Sequence, residues 1–526
     1  MPAEEGLLLL LDGAVVARTV DCRQTFHSPI KDPANPILTA TEPWEGRGPY
    51  TWGTRLLWNP ERQQHDLYYV AFRVEDNHYR WGLAESQDGL TWTKPQLQIE
   101  TFAGESARNM LTGGPHPDKA VRSVVRDPRP DCPPAQRYKG IRFTYQGEYV
   151  SYSPDGRRWT EDPEHPVWRV PSDIIHAMWD PGGGRFVAYF KLWEVTGETP
   201  APTSPSGWRP VRKYLPFFSH RLRPDGLAEF YEGIEVLFEP EAGARTQPVD
   251  GLLLRAAGQG MDDGGGAPLT GAWHARRVIA RAESDDFRRW HREQIVLAVD
   301  ERDRPDANIQ YFFVLPYGGY YLGFATLHDE RGYFEQQLAF SRDGRHWSRP
   351  WRGNFIGLGP PGAFDSGMVL APTDPICTET QLIFYYGGFD LKHWQPMSDP
   401  WSSAIGRAFL RRDGFASWDN LPGRTGTVET QPLRVKGEDL WLNADARAGQ
   451  LRVEVRDEGG QVIPGFAPED CTPLNEDTSR YAQCLAPIRW GERKLGELAG
   501  RPVRLCFALQ EASLYALRLG EGEEEP

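Results

Sequence analysis

The sequence predicts an all-β protein, a five-bladed β-propeller followed by a C-terminal β-sandwich. Three observations lead to this fold class. A turn motif recurs along the chain of 526 residues, strand-like runs precede each copy, and 54 glycines and 45 prolines are present. So many turn-forming residues exclude a helical bundle, while 19 Trp, 20 Tyr and 24 Phe supply a large apolar core.

The recurring motif, which we call the turn box, combines Ser, Asp, Gly and Trp. The Ser and Asp side chains can accept hydrogen bonds from backbone N–H groups of a tight turn, and glycine allows a positive φ. The tryptophan packs the turn against its neighbour. The copies are Ser86–Trp92, Ser153–Trp159, Ser284–Trp290, Ser341–Trp347 and a looser one at Arg412–Trp418. Such a repeat indicates a modular architecture.

Three strand-like stretches lead into each turn box. In the first unit they are Thr51–Trp58, Asp66–Arg73 and Tyr79–Glu85, and the later units follow the same order. Apolar, β-branched and aromatic residues dominate these stretches, with Gly and Pro between them. Three strands and a loose outer strand make a four-stranded propeller blade.

The number of blades depends on one long interval, between Asp155 and Asp286. It holds either a missed blade or one blade with an insertion. No tryptophan follows Arg223–Gly226 at the spacing of a turn box, so we favour five blades with an insertion at about residues 195–272 in the third. Six blades remain the alternative.

The pattern changes after Trp418. Short strand-like runs separated by turns such as Asp457–Gly460 predict a β-sandwich of the usual size. The expected domains are therefore a propeller at residues 1–424, a sandwich at residues 425–521 and an acidic tail at residues 522–526.

Composition limits the function. The net charge of −14 argues against a nucleic-acid binder and against attraction to an anionic membrane. The leading residues hold Glu4 and Glu5 where a secretion signal would carry Lys or Arg, and there is no apolar run of ~20 residues, so we expect a cytoplasmic protein. The six scattered cysteines predict buried thiols, with a Cys471–Cys484 disulfide as the alternative.

The mouth of the central channel is the expected site, because the inner strand of each blade begins there. Two carboxyl groups across a sugar acetal can act as general acid and as nucleophile or base. An Asp near a strand often only closes a turn, and that interpretation stays open for each acid. Acidic residues near the inner strands are Glu45, Asp127, Asp173, Asp306 and Asp365, of which Asp127 follows its strand-like run.

Aromatic and histidine side chains complete the expected site. Trp44, Trp52 and Trp179 can stack on the apolar faces of sugars, and His176 can donate to a substrate. His328 and His393 are further candidates for the mouth. No closely spaced His pair supports a metal site, so we predict no metal and no cofactor, and a calcium ion in the channel is left open.

The Arg126-Asp127-Pro128 element resembles the Arg-Asp-Pro motif of the five-bladed furanosidase clan, glycoside hydrolase families 32, 43 and 68. The resemblance implies that Asp127 stabilises the transition state. More broadly, the chain is similar to a group of bacterial proteins described as family 32-like. The matching stretches include Pro43–Glu45, Arg137–Lys139, Gly362–Gly367 and Gly449–Gly465.

The chain departs from family 32 in two places. The nucleophilic Asp of the first blade is replaced by Tyr50–Thr54, which has no acid, and Asp173 is only a positional counterpart of the acid of the third blade. Glu45 or Asp365 would have to take up a missing role.

We therefore predict a glycoside hydrolase of carbohydrate metabolism that cleaves a furanoside or a related small glycoside. The alternatives are a non-catalytic carbohydrate-binding propeller and an enzyme similar to a glycoside phosphorylase or a sialidase. The expected partner is a small carbohydrate, with neither nucleic acid nor membrane. Whether the chain forms a homo-oligomer stays open.

Overall fold

The computed structural model confirms an all-β protein. It describes residues 6–52, 55–76, 78–111, 121, 123–144, 147–164, 167–168, 172, 174–199, 208–222, 228–240, 253–256, 272–304, 307–329, 331–393, 395, 400–476 and 484–520. Within these residues there is no α-helix, only short 3₁₀ turns at Pro43–Glu45, Pro134–Gln136 and Leu495–Leu498. No helix of the described part of the chain could span a membrane.

Five sheets follow one another along the chain, and we number them in that order. Sheet 1 contains Pro49–Tyr50, Leu56–Asn59, Gln64–Arg73, His78–Ser86 and Met110–Leu111. Sheet 2 contains Ser123–Arg126, Tyr138–Thr144, Gly147–Ser153 and Thr160–Glu161. A separate hairpin pairs Glu100–Phe102 with Glu105–Ala107.

Sheet 3 is the largest of the five. Its strands are Ile175–Asp180, Arg185–Thr199, Trp208–Leu222, Ala228–Pro240, Leu253–Ala256, Ala272–Ser284 and His291–Leu297. Arg185–Thr199 pairs directly with Ala272–Ser284, and strands from residues 208–256 add to the same sheet. The region predicted as an insertion therefore contributes strands between the second and third strands of the repeat unit.

Sheets 4 and 5 complete the series. Sheet 4 contains Asn308–Tyr317, Tyr320–His328 and Glu335–Ser341. Sheet 5 contains Met368–Val369, Ile376–Cys377, Gln381–Phe389, Ser403–Arg411 and, from the start of the chain, Ile30–Lys31.

Each sheet contacts the next, and sheet 5 contacts sheet 1. The Tyr68 hydroxyl donates to the Gly156 carbonyl at 3.0 Å, which joins sheets 1 and 2. Tyr189 donates to the Gly344 carbonyl at 2.9 Å between sheets 3 and 4. Tyr385 of sheet 5 donates to the carbonyl of Gly89, in the turn box that follows sheet 1. Sheets 2 and 3 meet through Ser123 and Ala177, and sheets 4 and 5 through Gln336 and Leu370.

The four turn boxes that begin at Ser86, Ser153, Ser284 and Ser341 share a Ser–Asp hydrogen bond, as the sequence predicts. The looser fifth copy differs, because Trp418 lies in the strand Ala416–Asn420, which pairs with Cys22–Phe26. Ser86 Oγ accepts from the Gly89 N–H at 2.8 Å, and Asp88 Oδ1 accepts from the Leu90 and Thr91 N–H groups at 2.8 Å. These backbone bonds lower the pKa of Asp88 to about 2. Gly89 has a φ of 68°, a left-handed conformation that favours glycine.

Two further sheets enclose a core made of both chain ends. Sheet 6 contains Leu7–Leu9, Cys22–Phe26, Ala416–Asn420, Asp439–Asp445, Ala486–Ile488 and Ser513–Gly520. Sheet 7 contains Val16–Val20, Gly426–Thr430, Leu433–Arg434, Gln450–Arg456 and Pro502–Gln510. Their buried side chains, among them Leu10, Val428, Leu440, Leu451 and Phe507, form one cluster. The boundary at residue 424 stays a prediction, and residues 7–26 supply strands to these later sheets.

All six cysteines are free. Cys132, Cys471, Cys484 and Cys506 are buried as predicted, whereas Cys22 and Cys377 are only partly buried. The alternative of a disulfide between Cys471 and Cys484 is wrong.

Gly344→Ala should destabilise the protein more than Gly319→Ala. Both glycines have a positive φ, 68° and 76°, but a Cβ at Gly344 would lie 2.7 Å from the Tyr189 hydroxyl, whereas nothing lies within 4 Å of one at Gly319. The difference in free energy of unfolding should be about 1 kcal/mol, the value of the disturbed hydrogen bond. Urea unfolding followed by tryptophan fluorescence measures it, and equal losses would contradict the role of this contact.

Asp88→Asn should weaken the acid sensitivity of folding. A carboxyl whose folded pKa of about 2 lies below its ordinary 3.8 stabilises the fold above pH 3.8, and this contribution is lost as the pH falls towards 2. The Asn variant keeps the Oδ1 acceptor but does not titrate, so its stability should fall less over this range. Glu105→Gln, on the exposed hairpin, is the control. Identical pH profiles for wild type and Asp88→Asn would refute the assignment.

Candidate functional site

We call the first strand of each repeat unit its inner strand, for example Ser123–Arg126 in sheet 2 and Ile175–Asp180 in sheet 3. The end at which the inner strands begin is called the mouth end. The turn boxes follow the third strand of each unit, which runs parallel to the first because neighbouring strands are antiparallel. The turn boxes therefore lie at the opposite end, which we call the box end.

Asp127 lies at the box end, because it follows the inner strand Ser123–Arg126. Its carboxylate is fully buried and accepts from Arg129 Nη2 at 2.7 Å and from the Arg129 backbone N–H at 3.0 Å. Lys139 Nζ lies 3.0 Å away. Burial acts to raise the pKa of Asp127, but the bonds from Arg129 and Lys139 outweigh it and hold this pKa well below the usual range. Arg129 also donates to the Asp285 carbonyl at 2.8 Å, which ties sheet 2 to the next turn box.

Trp179 lies beside Asp127. The Arg129 guanidinium lies 5.4 Å from the centre of the Trp179 ring, and Trp179 meets Phe186 edge to face at 5.0 Å. This tryptophan ends the inner strand of sheet 3, so it also lies at the box end and away from the mouth.

Glu45 and Trp44 are buried against sheet 1. Glu45 accepts from the Tyr69 hydroxyl at 2.5 Å, from Lys94 Nζ at 2.7 Å and from the Thr41 N–H at 2.7 Å. Trp44 stacks on Tyr69 with 6.0 Å between ring centres. Both side chains are held at the apolar cluster between sheets 1 and 5.

Asp365 is buried against sheet 5. Lys31 Nζ lies 2.5 Å from its Oδ2, and the Tyr386 hydroxyl donates to the same oxygen at 2.9 Å. Burial, with the negative charge of Asp365, raises the pKa of Tyr386 far above its ordinary value. Asp365 thus serves as one half of a buried ion pair.

The structure does not bring the predicted acids together. Asp127, Glu45 and Asp365 have three separate sets of partners, and Asp127 and Asp365 belong to opposite ends of the inner strands. That Asp127, Asp173 and Asp365 face one cavity stays a prediction, although Asp127 follows its strand instead of preceding it and, among the described residues, shares no partner with Asp365. Asp173 and Asp306 lie outside the described residues.

His176 is fully buried and is not a substrate donor in this structure. Its Nε2 lies 2.7 Å from the Val314 carbonyl, and its ring lies 4.2 Å from that of Phe313. Burial and the neighbouring Arg55 lower the pKa of His176 to about 3. A neutral histidine that donates Nε2–H to a carbonyl is a structural link between sheets 3 and 4.

The guanidinium of Arg55 is buried and contacts three other sheets. Its guanidinium makes a two-pronged ion pair with Asp374 of sheet 5, with Nε 2.8 Å from Oδ2, and Nη1 donates to the Ala177 carbonyl of sheet 3 at 3.2 Å. The Phe313 ring of sheet 4 lies 5.7 Å away. Ser123 of sheet 2 donates to the same Ala177 carbonyl at 3.2 Å. One buried cation of sheet 1 thus contacts sheets 3, 4 and 5, and sheet 2 reaches the same carbonyl through Ser123.

A polar cluster lies at the mouth end, and the acidic residues proposed from the sequence do not include any of its members. Arg277 of sheet 3 bonds to Gln310 and lies 2.8 Å from His328 Nε2 through Nη1, while its backbone N–H donates to Asn308 at 3.1 Å. The ring of His393 lies 5.0 Å from that of His328. His328 and His393, which the sequence analysis named as candidates for the mouth, therefore lie next to each other. The other members of the cluster were not predicted, and polar side chains at strand ends are the feature that could have identified them.

The His328 side chain is held neutral. Arginine can only donate, so Nε2 of His328 accepts from Arg277. Burial and then the charge of Arg277 lower the pKa of His328 far below its ordinary value. Within the described residues no group of His, Cys, Asp and Glu is suited to hold a metal.

Trp52 lies at the mouth end of sheet 1. Its ring is tilted against Tyr50 at 5.8 Å and meets Tyr79 edge to face at 6.3 Å. It packs on the apolar cluster that contains Phe334, whose ring lies 5.6 Å from His328. Of the three predicted aromatic platforms, Trp52 is the one at the mouth end that shares an apolar cluster with Phe334.

No family model matches this chain, and no curated protein matches its sequence. Solved structures of glycoside hydrolases resemble it distantly. A fructofuranosidase from Schwanniomyces occidentalis, complexed with fructosylnystose, is 9% identical over 94% of this chain and 100% of that chain, with a TM-score of 0.36. The exo-β-1,3-galactanase of Phanerochaete chrysosporium is 9% identical over 94% and 99%, at 0.33. The catalytic domain of the GH62 α-L-arabinofuranosidase of Coprinopsis cinerea is 11% identical over 74% and 97%, at 0.35.

Arg55→Met should destabilise the protein by about 3 kcal/mol, because it leaves the Asp374 carboxylate in the channel without its partner. Asp374→Asn combined with Arg55→Met should recover part of the loss, since no uncompensated charge then remains. Urea unfolding of the single and double variants measures both values. If Arg55→Met were as stable as wild type, the contacts of Arg55 would not stabilise the packing of the sheets.

Proposed function

We propose that sheets 1 to 5 are the blades of a five-bladed propeller, that sheets 6 and 7 form a β-sandwich, and that the protein is a glycoside hydrolase acting at the mouth end. The circular order of contacts supports the propeller, since Tyr385 of sheet 5 reaches the Gly89 carbonyl beside sheet 1. The single observation that carries the function is the cluster of Arg277, Gln310 and His328 at the mouth end. Trp52 packs on the apolar cluster that contains Phe334, the ring neighbour of His328.

These groups suit a sugar. A glycoside offers hydroxyl groups to polar side chains and apolar C–H faces to aromatic rings. Arg277 donates, Gln310 both donates and accepts, and Trp52 supplies an aromatic face that is partly exposed. Sheets 1, 3 and 4 all contribute, as expected of a pocket at the centre of a ring of blades.

The catalytic acids should stand among the same groups. Ser172 and Ile174, on either side of Asp173, both accept from the Lys191 N–H, at 3.1 and 3.4 Å, just before the inner strand of sheet 3. We keep Asp173 as a proposed catalytic acid of the mouth and Asp306 as a proposed substrate-binding carboxyl group. Glu148 is a further carboxyl group near the mouth-end turn of sheet 2, where it is fully buried.

Asp127, Glu45 and Asp365 receive structural roles in this proposal. Each is buried against a cation, Arg129, Lys94 or Lys31. The low pKa of Asp127 makes it a poor general acid. The transition-state role that the furanosidase motif implies for Asp127 needs a charged carboxylate that faces the substrate, whereas this carboxylate is fully buried against Arg129 and Lys139.

A panel of nitrophenyl furanosides and pyranosides tests the function. Asp173→Asn should lower kcat by about 100-fold or more on any substrate that turns over, which is the usual effect of losing a general acid or base. Asp127→Asn should lose about 3 kcal/mol of stability, because Arg129 and Lys139 lose a buried anion, yet keep its kcat well below its unfolding temperature.

Two results would overturn these assignments. Full activity in Asp173→Asn would remove this residue from the mechanism. A folded but inactive Asp127→Asn would restore the role that the motif implies. Circular dichroism of each variant at the assay temperature separates loss of fold from loss of chemistry.

A carbohydrate-binding protein without catalysis is the second candidate. The observation in its favour is that three of the predicted acids are held in separate buried ion pairs. In that case no glycoside turns over, but sugars bind saturably, and Trp52→Ala weakens binding while Trp179→Ala, at the box end, does not.

A further inference from the structure

Four arginines surround one buried carboxylate at the box end. Glu283 Oε1 accepts from Arg281 Nη1 at 2.5 Å and from Arg345, and Oε2 lies 3.1 Å from Arg185 Nη1 and 2.9 Å from Arg292 Nη1. We call these four arginines the arginine cluster. It joins the last residues of sheet 3 to the turn box of sheet 4.

In the first repeat unit, the glutamate at the position equivalent to Glu283 is paired with a single arginine. Glu85 precedes its turn-box serine, as Glu283 does, and pairs with Arg157 of the next turn box, the counterpart of Arg345. Among the described residues Arg157 is the one cation paired with Glu85. One arginine therefore satisfies the link between sheets, and Arg185, Arg281 and Arg292 exceed this structural need.

The arginine cluster carries surplus positive charge. Its four guanidinium groups face Glu283 and Asp180, whose Oδ2 lies 3.5 Å from Arg281 Nη2. Burial acts to raise the pKa of Glu283, but Arg281, Arg345 and Arg292 lower it to about 2, so the carboxylate is charged at neutral pH. Two positive charges remain uncompensated by these two acids, in a chain whose net charge is −14.

The surplus arginines are open to solvent. The side chains of Arg185 and Arg345 are 29% exposed and that of Arg292 is 59% exposed, whereas Arg281 is buried. Exposed guanidinium groups held on a common carboxylate can turn their remaining N–H groups towards a ligand with no large rearrangement.

The backbone is distorted to bring Arg292 there. This residue has a φ of 59°, and the strand pairing shifts register between Arg281 and Glu283, opposite this part of the strand His291–Leu297. A non-glycine residue in the left-handed region is strained, and bulges commonly redirect a side chain at a functional site. The distortion places Arg292 beside Glu283, where three other arginines already repel one another.

We propose that the arginine cluster binds a tetrahedral oxyanion, a phosphate or sulfate group, either as the free ion or as an ester carried by a sugar. The planar forks of Arg185, Arg292 and Arg345 match the paired oxygens of such a group, and its charge relieves the repulsion among them. The site lies at the box end, so it is separate from the proposed mouth-end chemistry and does not depend on it.

Isothermal titration of the full chain with potassium phosphate and with sodium sulfate, at an ionic strength held constant with chloride, tests the proposal. Wild type should bind one anion saturably. Arg292→Gln and Arg185→Gln should each weaken binding about tenfold, because each removes a charge-assisted contact. Arg289→Gln, an exposed arginine three residues before Arg292, should bind as wild type does.

Glucose 6-phosphate as a third probe distinguishes the two sources. Tighter binding than inorganic phosphate indicates a sugar ester, and equal or weaker binding indicates the free ion. The proposal is overturned if neither phosphate nor sulfate binds saturably above the chloride background. It is also overturned if Arg292→Gln and Arg185→Gln bind as Arg289→Gln does.

Discussion

One buried guanidinium, that of Arg55 in sheet 1, contacts three other sheets. Arg55 pairs with Asp374 of sheet 5, donates to the Ala177 carbonyl of sheet 3 and lies over Phe313 of sheet 4, while Ser123 of sheet 2 shares that carbonyl. A buried ion pair is stable only when its geometry and further hydrogen bonds offset desolvation. Here both conditions depend on the relative positions of the sheets that supply Arg55, Asp374 and Ala177, so the ion pair constrains how these sheets pack.

Buried charge is used in the same way elsewhere in the protein. Asp127, Glu45 and Asp365 are each buried against a cation, which is a near neighbour in sequence for Asp127 and comes from a distant segment for Glu45 and Asp365. Such pairs contribute specificity of packing more than stability, because desolvation offsets much of their Coulomb energy. This accounts for a chain rich in acids near its inner strands in which three of them are structural.

Local features of the fold were predictable because their physics is local. A turn box needs only the Ser86 and Asp88 oxygens, a few N–H groups and a glycine with positive φ, all within seven residues. The strands before each box follow from their apolar and β-branched composition. The all-β class was predicted correctly on this basis.

Contacts between distant segments were not predictable from one sequence. Nothing in Leu7–Leu9 or Cys22–Phe26 indicates that these strands pair with Ser513–Gly520 and Ala416–Asn420. Likewise, Asp127 looks like a candidate acid until Lys139 and Arg129 are seen beside it. Its position after the inner strand was the available clue, since mouth-end residues precede these strands.

The mouth end and the box end thus have different chemistry. The mouth end contains the aromatic ring of Trp52 and the polar side chains of Arg277 and His328. The box end holds the turn boxes, the ion pair of Asp127 and the arginine cluster around Glu283. Separating the two ends keeps structural ion pairs away from the proposed reaction.

A crystal structure with a bound sugar product tests this division most directly. The account predicts the sugar at the mouth end, with a ring face on Trp52 and hydroxyl groups within hydrogen-bonding distance of Arg277 or Gln310. A sugar seated at the box end beside Asp127 and Trp179 would contradict the account and would return catalysis to the residues of the furanosidase motif.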